Sequence, residues 1–196
     1  RSDIGGGPEQ LFKIVANLKD RYKFYCACPD QQPYFGRIAR KKIPIFKLPH
    51  RRFEIKSFFR LVRWTRANEI SVVNSHGRGA GLYARLLKIF NRELKIVHNF
   101  HGIHFSIMTF TWAAERLLSV LTNKFVFVSK SEEKIALQYG LTNISKSVLI
   151  ENGILLDNIK YLEDKRSHVL RISGKTIPPD SYIIGMLSRF DSIKNI

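Results

Sequence analysis

Acidic residues are scarce in this chain. Sixteen Asp and Glu stand against 33 Lys and Arg, leaving a formal charge of +17 over 196 residues. An excess of that size needs an anionic counterpart, and three classes qualify: nucleic acid, an anionic membrane surface, or phosphorylated small molecules. Cysteine is nearly absent. Cys26 and Cys28 lie two apart on an apparent strand, YKFYCAC, where side chains point the same way and seldom meet disulfide geometry. A disulfide framework is therefore excluded, and free buried thiols in a reducing cytosol are the expectation. A lone C-x-C without further ligands nearby is a poor metal motif. No apolar run approaches the roughly 20 residues needed to cross a bilayer, and no signal-peptide pattern is visible. No H-x-x-x-H helix supports zinc, and Ser75, Ser106 and Ser129 lack a nucleophile-elbow setting. Repeats, low complexity and recognised nucleic-acid motifs are missing too, which places a nucleic-acid binder third among the readings.

What is present is alternation. Hydrophobic residues make up 44% of the chain, enough for a packed core. Pro8 suits the first turn of a helix running to about Lys19. Strands are expected over 22–27 and 43–48, then a helix over 53–67 with Phe53, Phe58, Leu61, Val62 and Thr65 roughly on one face. Continuous apolar centres mark strands over 70–74, 95–99 and 124–129, as in a sheet buried on both sides. Helices over 79–90, 109–121 and 131–139 fall among them, the last opened by Ser131 with Glu133 and Lys134 and closed by Gly140. A strand over 147–150, a charged helix over 158–170, a linker or hairpin over 171–180 and a strand over 182–187 complete the pattern. Such alternation predicts an α/β, Rossmann-like, doubly wound parallel sheet. The opening RSDIGGG reads as a strand-to-helix loop lacking its strand, and the closing GMLSRFDSIKNI as another broken loop. Both ends are expected to be cut from a longer protein.

Ligands bind outside the carboxyl ends of parallel strands, and polar residues gather there. The segment NSHGRGAGLYARLLKIFNRELKIVHNFHGIHF puts His76-Gly77-Arg78-Gly79 and His101-Gly102 at two successive strand ends, facing one crevice. A histidine can exchange protons near neutral pH, and glycine lets a substrate approach the backbone. Gly5-Gly6-Gly7 before a helix can cradle a phosphate or simply make a tight turn. It lacks the dinucleotide G-x-G-x-x-G spacing. Arg78 can meet an anion bidentately, while His76 alone also fits an ordinary loop. His98, inside a strand, reads as a core histidine, and His104 competes with His101. Arg189 and Lys194 flank a loop after the last strand and suit a diphosphate. Arg52, Lys56, Arg60 and Arg63, beside Phe53, Phe58, Phe59 and Trp64, fit either contact with an anionic membrane or a solvated basic face.

Taken in order, GGGPEQ, SHGRGAGLYARLL, IVHNFHGIHF, KFVFVSKSEEKIA, VLIENGI and IGMLSRFDSIKN resemble the retaining glycosyltransferases of family 4, the group 1 enzymes with the GT-B fold. The resemblance covers nearly the whole chain. It implies two Rossmann-like domains with the active site between them. Residues 1–175 would be the N-terminal, acceptor-side domain, lacking its first strand. Residues 176–196 would be the linker and first strand of a truncated donor-binding domain. By the same resemblance, Gly6 and Gly7 approach the donor diphosphate, and Arg189 and Lys194 neutralise it as it leaves. His101 is the histidine near the transferred sugar, and His76, Arg78, Gly79 and Gly102 line the acceptor side. The family commonly has Asn-Gly-Ile-Asp where this chain has Asn152-Gly153-Ile154-Leu155, so any role of that aspartate is absent or displaced to Asp157.

The implied activity is transfer of a sugar from a nucleotide-sugar to a saccharide or lipid-linked acceptor in cell-envelope polysaccharide or lipopolysaccharide biosynthesis. No metal or other cofactor is expected, and no nucleic-acid partner. The expected place is cytoplasmic, peripheral at the cytoplasmic face of the membrane. The second domain, with two glutamates seven residues apart, is not in this sequence, so residues 1–196 alone are expected to be inactive. The alternative is a non-catalytic module from a truncated glycosyltransferase that keeps only acceptor or membrane contact.

Overall fold

The computed structural model describes Ser2, residues 5–102 and 109–153, and isolated positions between 167 and 184. The chain divides into two units, Arg1–Asn152 and Gly153–Ile196. Every labelled helix and strand belongs to the first. The helix expected over 158–170 and the strand expected over 182–187 fall almost wholly outside the described residues.

Helix α1 (Gly6–Leu18) leads to β1 (Cys26–Cys28), α2 (Tyr34–Arg40) and β2 (Ile45–Lys47). Then follow α3 (Ile55–Ala67), β3 (Val72–His76), α4 (Arg78–Phe90), β4 (Lys95–Asn99), α5 (Thr109–Ser119), β5 (Lys124–Phe127), α6 (Lys130–Gln138), a 3-10 turn (Ile144–Lys146) and β6 (Ser147–Leu149). All pairings among these strands are parallel: β1 with β2, and β3, β4, β5 and β6 in that spatial order. Parallel neighbours cannot be joined by a hairpin, and the helices supply the crossovers. The α/β parallel architecture anticipated above is the one observed.

Burial explains why β4 and β5 read as continuous apolar runs. Ile96, His98, Phe125 and Phe127 are fully buried, and Asn99 and Val126, on the opposite face, are buried as well. One core packs α3 and α4 on the sheet through Phe58, Leu61, Tyr83, Leu87 and Ile96. A second gathers Val15, Cys26, Cys28, Ile38 and Ile43 around β1. A third holds Phe100, Phe125, Phe127, Ala136 and Leu141 under α6. Cys26 and Cys28 are free and buried.

Three details depart from the expectation. The strand expected over 22–27 is ladder-bonded only at Cys26–Cys28: the Cys26 N–H reaches Pro44 O at 2.9 Å, whereas Tyr22 lies 59% exposed. Helix α2 falls where no element was expected, because Pro29, Pro33 and Gly36 break up its signal. Helix α6 is capped by Ser129, whose Oγ accepts from Glu132 N, rather than opened by Ser131. The extended backbone of Ser129 leaves its hydroxyl free to reach the third amide of the helix, and this removes Ser129 from the strand expected over 124–129.

Between β1 and β3 lies a cavity of about 600 Å³, walled by Tyr25 and Ala27 on one side, Val72 and Asn74 on the other, and Val15 and Leu87 from the helices. Among the described residues, no ladder joins the two sheets across it.

Candidate functional site

The register of β3 on β4 pairs Ser75 with His98 and His76 with Asn99. His76 thus ends its strand beside the end of the next, and His101 follows two residues later. The Asn99 amide donates to Asn74 Oδ1 (2.5 Å) and Ser75 O (3.2 Å), locking the two strand ends together. Gly77 N donates to Asn99 O at 2.8 Å. Gly77 can turn there because its φ is +78°, a region that favours glycine.

This frame brings the two histidines into contact. His76 Nδ1 lies 2.7 Å from His101 Nε2, and the rings meet edge to edge, nearly parallel, with an interplanar angle of 16°. Gly7, in the first turn of α1, sits against the same ring: a Cβ there would come within 3.3 Å of His101 Cδ2. A Cβ on Gly6 or Gly79 would meet nothing within 4 Å. The first turns of α1 and α4 therefore flank the histidine pair with unobstructed backbone, and helix N-termini offer free N–H groups and a positive dipole end. Arg78, half-buried at the start of α4, adds a guanidinium on that side.

His101 holds φ at +58° and Gly102 at +114°. For a residue with a Cβ the left-handed region costs roughly 1–2 kcal/mol, so surrounding contacts must hold it. Phe100 supplies one, stacked on Phe125 and Phe127. Glu132 supplies another: its Oε1 accepts from Gly102 N at 2.6 Å and its Oε2 from Val128 N at 3.2 Å.

The electrostatics favour neutral rings. Burial, and then the nearby His101, pushes His76 down to about 4. Burial also pushes His101 below the ordinary histidine value, while the Glu132 carboxylate pulls it back up. Two neutral imidazoles sharing one hydrogen each keep a second ring nitrogen, so the pair can donate or accept toward a hydroxyl without carrying charge. His98 behaves as the core histidine expected. It is fully buried, its Nδ1 is 2.9 Å from Ser75 Oγ, and burial, followed by the charge on Arg85, holds it well below its ordinary value.

The structure thus brings together His76, His101, Gly102 and Gly7, with Gly6, Arg78 and Gly79 beside them. Arg189, Lys194 and His104 lie outside the described residues. Arg52, Lys56, Arg60 and Arg63 are all exposed on or beside α3. Trp64 is not with them: it is half-buried, packing on Phe46 at 5.4 Å and edge-on to Tyr25 at 5.5 Å. The exposed apolar groups beside the cations are instead Ile55 and Phe59, with Phe90 of α4 5.5 Å from the Phe59 ring. Sequence reasoning passed over Glu132; the spacing Ser129-x-x-Glu132, a capping-box pattern, was the available signal.

Comparison with known proteins gives this geometry a context. The family model described as Glycosyltransferase Family 4 matches residues 4–158. Two proteins of Escherichia coli, the O-antigen biosynthesis glycosyltransferase WbnH and the probable O-antigen biosynthesis glycosyltransferase WbiN, are each 24% identical over 163 residues, covering 79% of this chain and 47% of theirs. Among solved structures, a glycosyltransferase from Rickettsia africae ESF-5 superposes with a TM-score of 0.73 at 16% identity, over 96% of this chain and 51% of that one. Anabaena Alr3699/HepE, solved in complex with UDP and glucose, gives 0.67 at 16% identity, over 89% and 48%. The fold is that of the N-terminal half of a GT-B glycosyltransferase. The chain spans about half the length of the relatives it matches.

Proposed function

The chain belongs to glycosyltransferase family 4, and from that premise we propose that the whole protein is a retaining glycosyltransferase. It moves a sugar from a nucleotide-sugar to a saccharide or lipid-linked acceptor in cell-envelope polysaccharide or lipopolysaccharide biosynthesis. The observation that carries this reading is the His76–His101 contact, set against Gly7 at the carboxyl ends of β3 and β4. The names of the Escherichia coli relatives support the pathway, and the complexes of Anabaena HepE with UDP and glucose and with UDP-glucose support the donor class.

In the transfer, the bond from the sugar's anomeric carbon to the diphosphate oxygen breaks, and a bond to the acceptor hydroxyl oxygen forms on the same face. The acceptor proton passes to the departing phosphate. Charge builds on the leaving diphosphate, and groups aimed there lower the barrier. The open first turn of α1, Gly6 and Gly7, approaches the diphosphate, and Arg189 and Lys194 neutralise it. His101 hydrogen-bonds the transferred sugar and holds it in line. His76, Arg78, Gly79 and Gly102 form the acceptor side.

Among the described residues, no helix is long and apolar enough to cross a membrane. We assign the exposed face of Arg52, Lys56, Arg60 and Arg63, with Ile55, Phe59 and Phe90, to peripheral contact with the anionic cytoplasmic leaflet.

The test uses the full-length protein with a panel of nucleotide-sugars, following release of free nucleotide in the presence of membrane lipid extracts. Donor-dependent release that collapses in His101→Ala is the expected result. No release with any donor would favour the non-catalytic module.

A further inference from the structure

We propose that Glu132 is a positioning residue for His101: its buried carboxylate ties the His101-Gly102 turn to the start of α6 and thereby aims the imidazole at His76 and Gly7.

The argument begins with the cap. In a capping box the glutamate three residues into the helix reaches back to the N-cap amide. Here Ser129 Oγ already accepts from Glu132 N at 3.3 Å, so the helix end has its cap. The carboxylate goes elsewhere. Oε2 takes Val128 N at 3.2 Å, and Oε1 reaches across thirty residues to Gly102 N at 2.6 Å. Glu132 is only 6% exposed, and among the described residues no Lys or Arg pairs with it. A buried carboxylate is costly to place unless it is hydrogen-bonded, and two backbone N–H groups and the start of α6 hold this one. A helix cap would require neither the burial nor the reach.

What that reach secures is the turn. His101 and Gly102 both hold positive φ, which points the Gly102 N–H inward at the carboxylate. On the other side, Phe100 is fixed by stacking on Phe125 and Phe127. His101 is thus suspended between an apolar anchor and a polar one. The titratable groups around it are His76 from β3, Glu132 from α6 and, deeper on β4, His98; α1 presents Gly7, which carries no charge. Glu132 is the carboxylate acting on the His101 ring, raising its proton affinity against the effect of burial.

The role in catalysis rests on the transferase reading; the geometric role does not. The experiment compares full-length wild type, Glu132→Gln and Glu132→Ala by histidine side-chain NMR titration and by donor kinetics. Both variants are expected to titrate His101 at lower pH than wild type. Misaiming a reacting group costs on the order of 100-fold, so Glu132→Ala is expected to lose kcat on that scale, with donor KM changing far less. Glu132→Gln, which keeps one acceptor for Gly102 N, is expected to recover part of that loss. A folded Glu132→Ala variant with wild-type His101 titration and kcat, altered only in melting temperature, would reduce Glu132 to a helix cap and overturn the proposal. If Glu132→Ala does not fold, an unchanged His101 titration in Glu132→Gln overturns it equally. If wild type turns over no donor while the variants still shift His101, the transferase reading fails and the positioning role stands.

Discussion

His76 Nδ1 and His101 Nε2, twenty-five residues apart in sequence, lie 2.7 Å from each other with nearly parallel rings. One hydrogen serves both nitrogens. Protonating both rings removes the acceptor, breaks the contact and sets two half-buried cations side by side.

Acid should destabilise the protein in a defined window. The folded value of His76 is pushed down to about 4, below the unfolded value near 6.5. The unfolded state then binds more protons between those values, so stability is full above about 6.5 and falls as the pH drops toward 4. The loss attributable to this ring is at most about 3 kcal/mol. Urea unfolding of wild type and His76→Gln at pH 7.0, 6.0 and 5.0 checks it. The variant should show a shallower slope; identical slopes would contradict the argument.

Gly6 and Gly7 should respond differently to alanine. A Cβ on Gly7 would sit 3.3 Å from the His101 ring, whereas one on Gly6 meets open space. Gly6→Ala is expected to gain up to about 1 kcal/mol of helix stability while weakening donor binding, because the new methyl occupies the approach to the diphosphate. Gly7→Ala is expected to displace His101 and lower kcat roughly tenfold or more. Thermal melts and calorimetric titration with a nucleotide-sugar separate the two effects.

Removing Glu115 should be costly. Arg85 is fully buried, and its Nη1 donates to Glu115 Oε2 at 2.5 Å. Among the described residues its Nε and Nη2 have no hydrogen-bond partner, and the guanidinium lies over the Phe125 ring, so Glu115 is the described carboxylate that holds it. Leaving a buried cation alone costs about 3–5 kcal/mol. The midpoint of urea unfolding for Glu115→Ala measures it, and a loss below about 1 kcal/mol would show that water reaches Arg85.

On the basic face, Phe59 and Trp64 should part company. Phe59 is 47% exposed and meets Phe90 edge-on, while Trp64 packs on Phe46 and Tyr25. Phe59→Glu is expected to cut binding of the full-length protein to vesicles rich in phosphatidylglycerol while leaving its melting temperature nearly unchanged. Trp64→Ala should do the reverse, losing about 3 kcal/mol of stability. Vesicle sedimentation at low and high salt distinguishes them.

The features legible in the sequence were those with a one-dimensional signature. Strands β4 and β5 show as unbroken apolar runs because both their faces are covered, as the burial of Ile96, Asn99, Phe125 and Val126 shows. His76 and His101 could be placed at strand ends by the glycines after them. Their contact could not be read there, because it depends on the register that pairs His76 with Asn99. Trp64 reads as part of an aromatic-basic helix; only the placement of β2 beneath it turns the indole toward Phe46. Glu132 was passed over because two consecutive glutamates, Glu132 and Glu133, both suit the first turn of α6. Which of them reaches Gly102 is decided by how α6 packs on β5 and β6.

The frame of the site hangs on a strand secured on every side. β4 is ladder-bonded to β3 and to β5, and its Ile96, His98 and Asn99 are buried. Amides in such a strand exchange with solvent only through the larger openings of a domain. The carboxyl end of β4, where the Asn99 side chain ties to Asn74 and Ser75, should therefore keep its deuterium-exchange protection long after exposed turns have lost theirs.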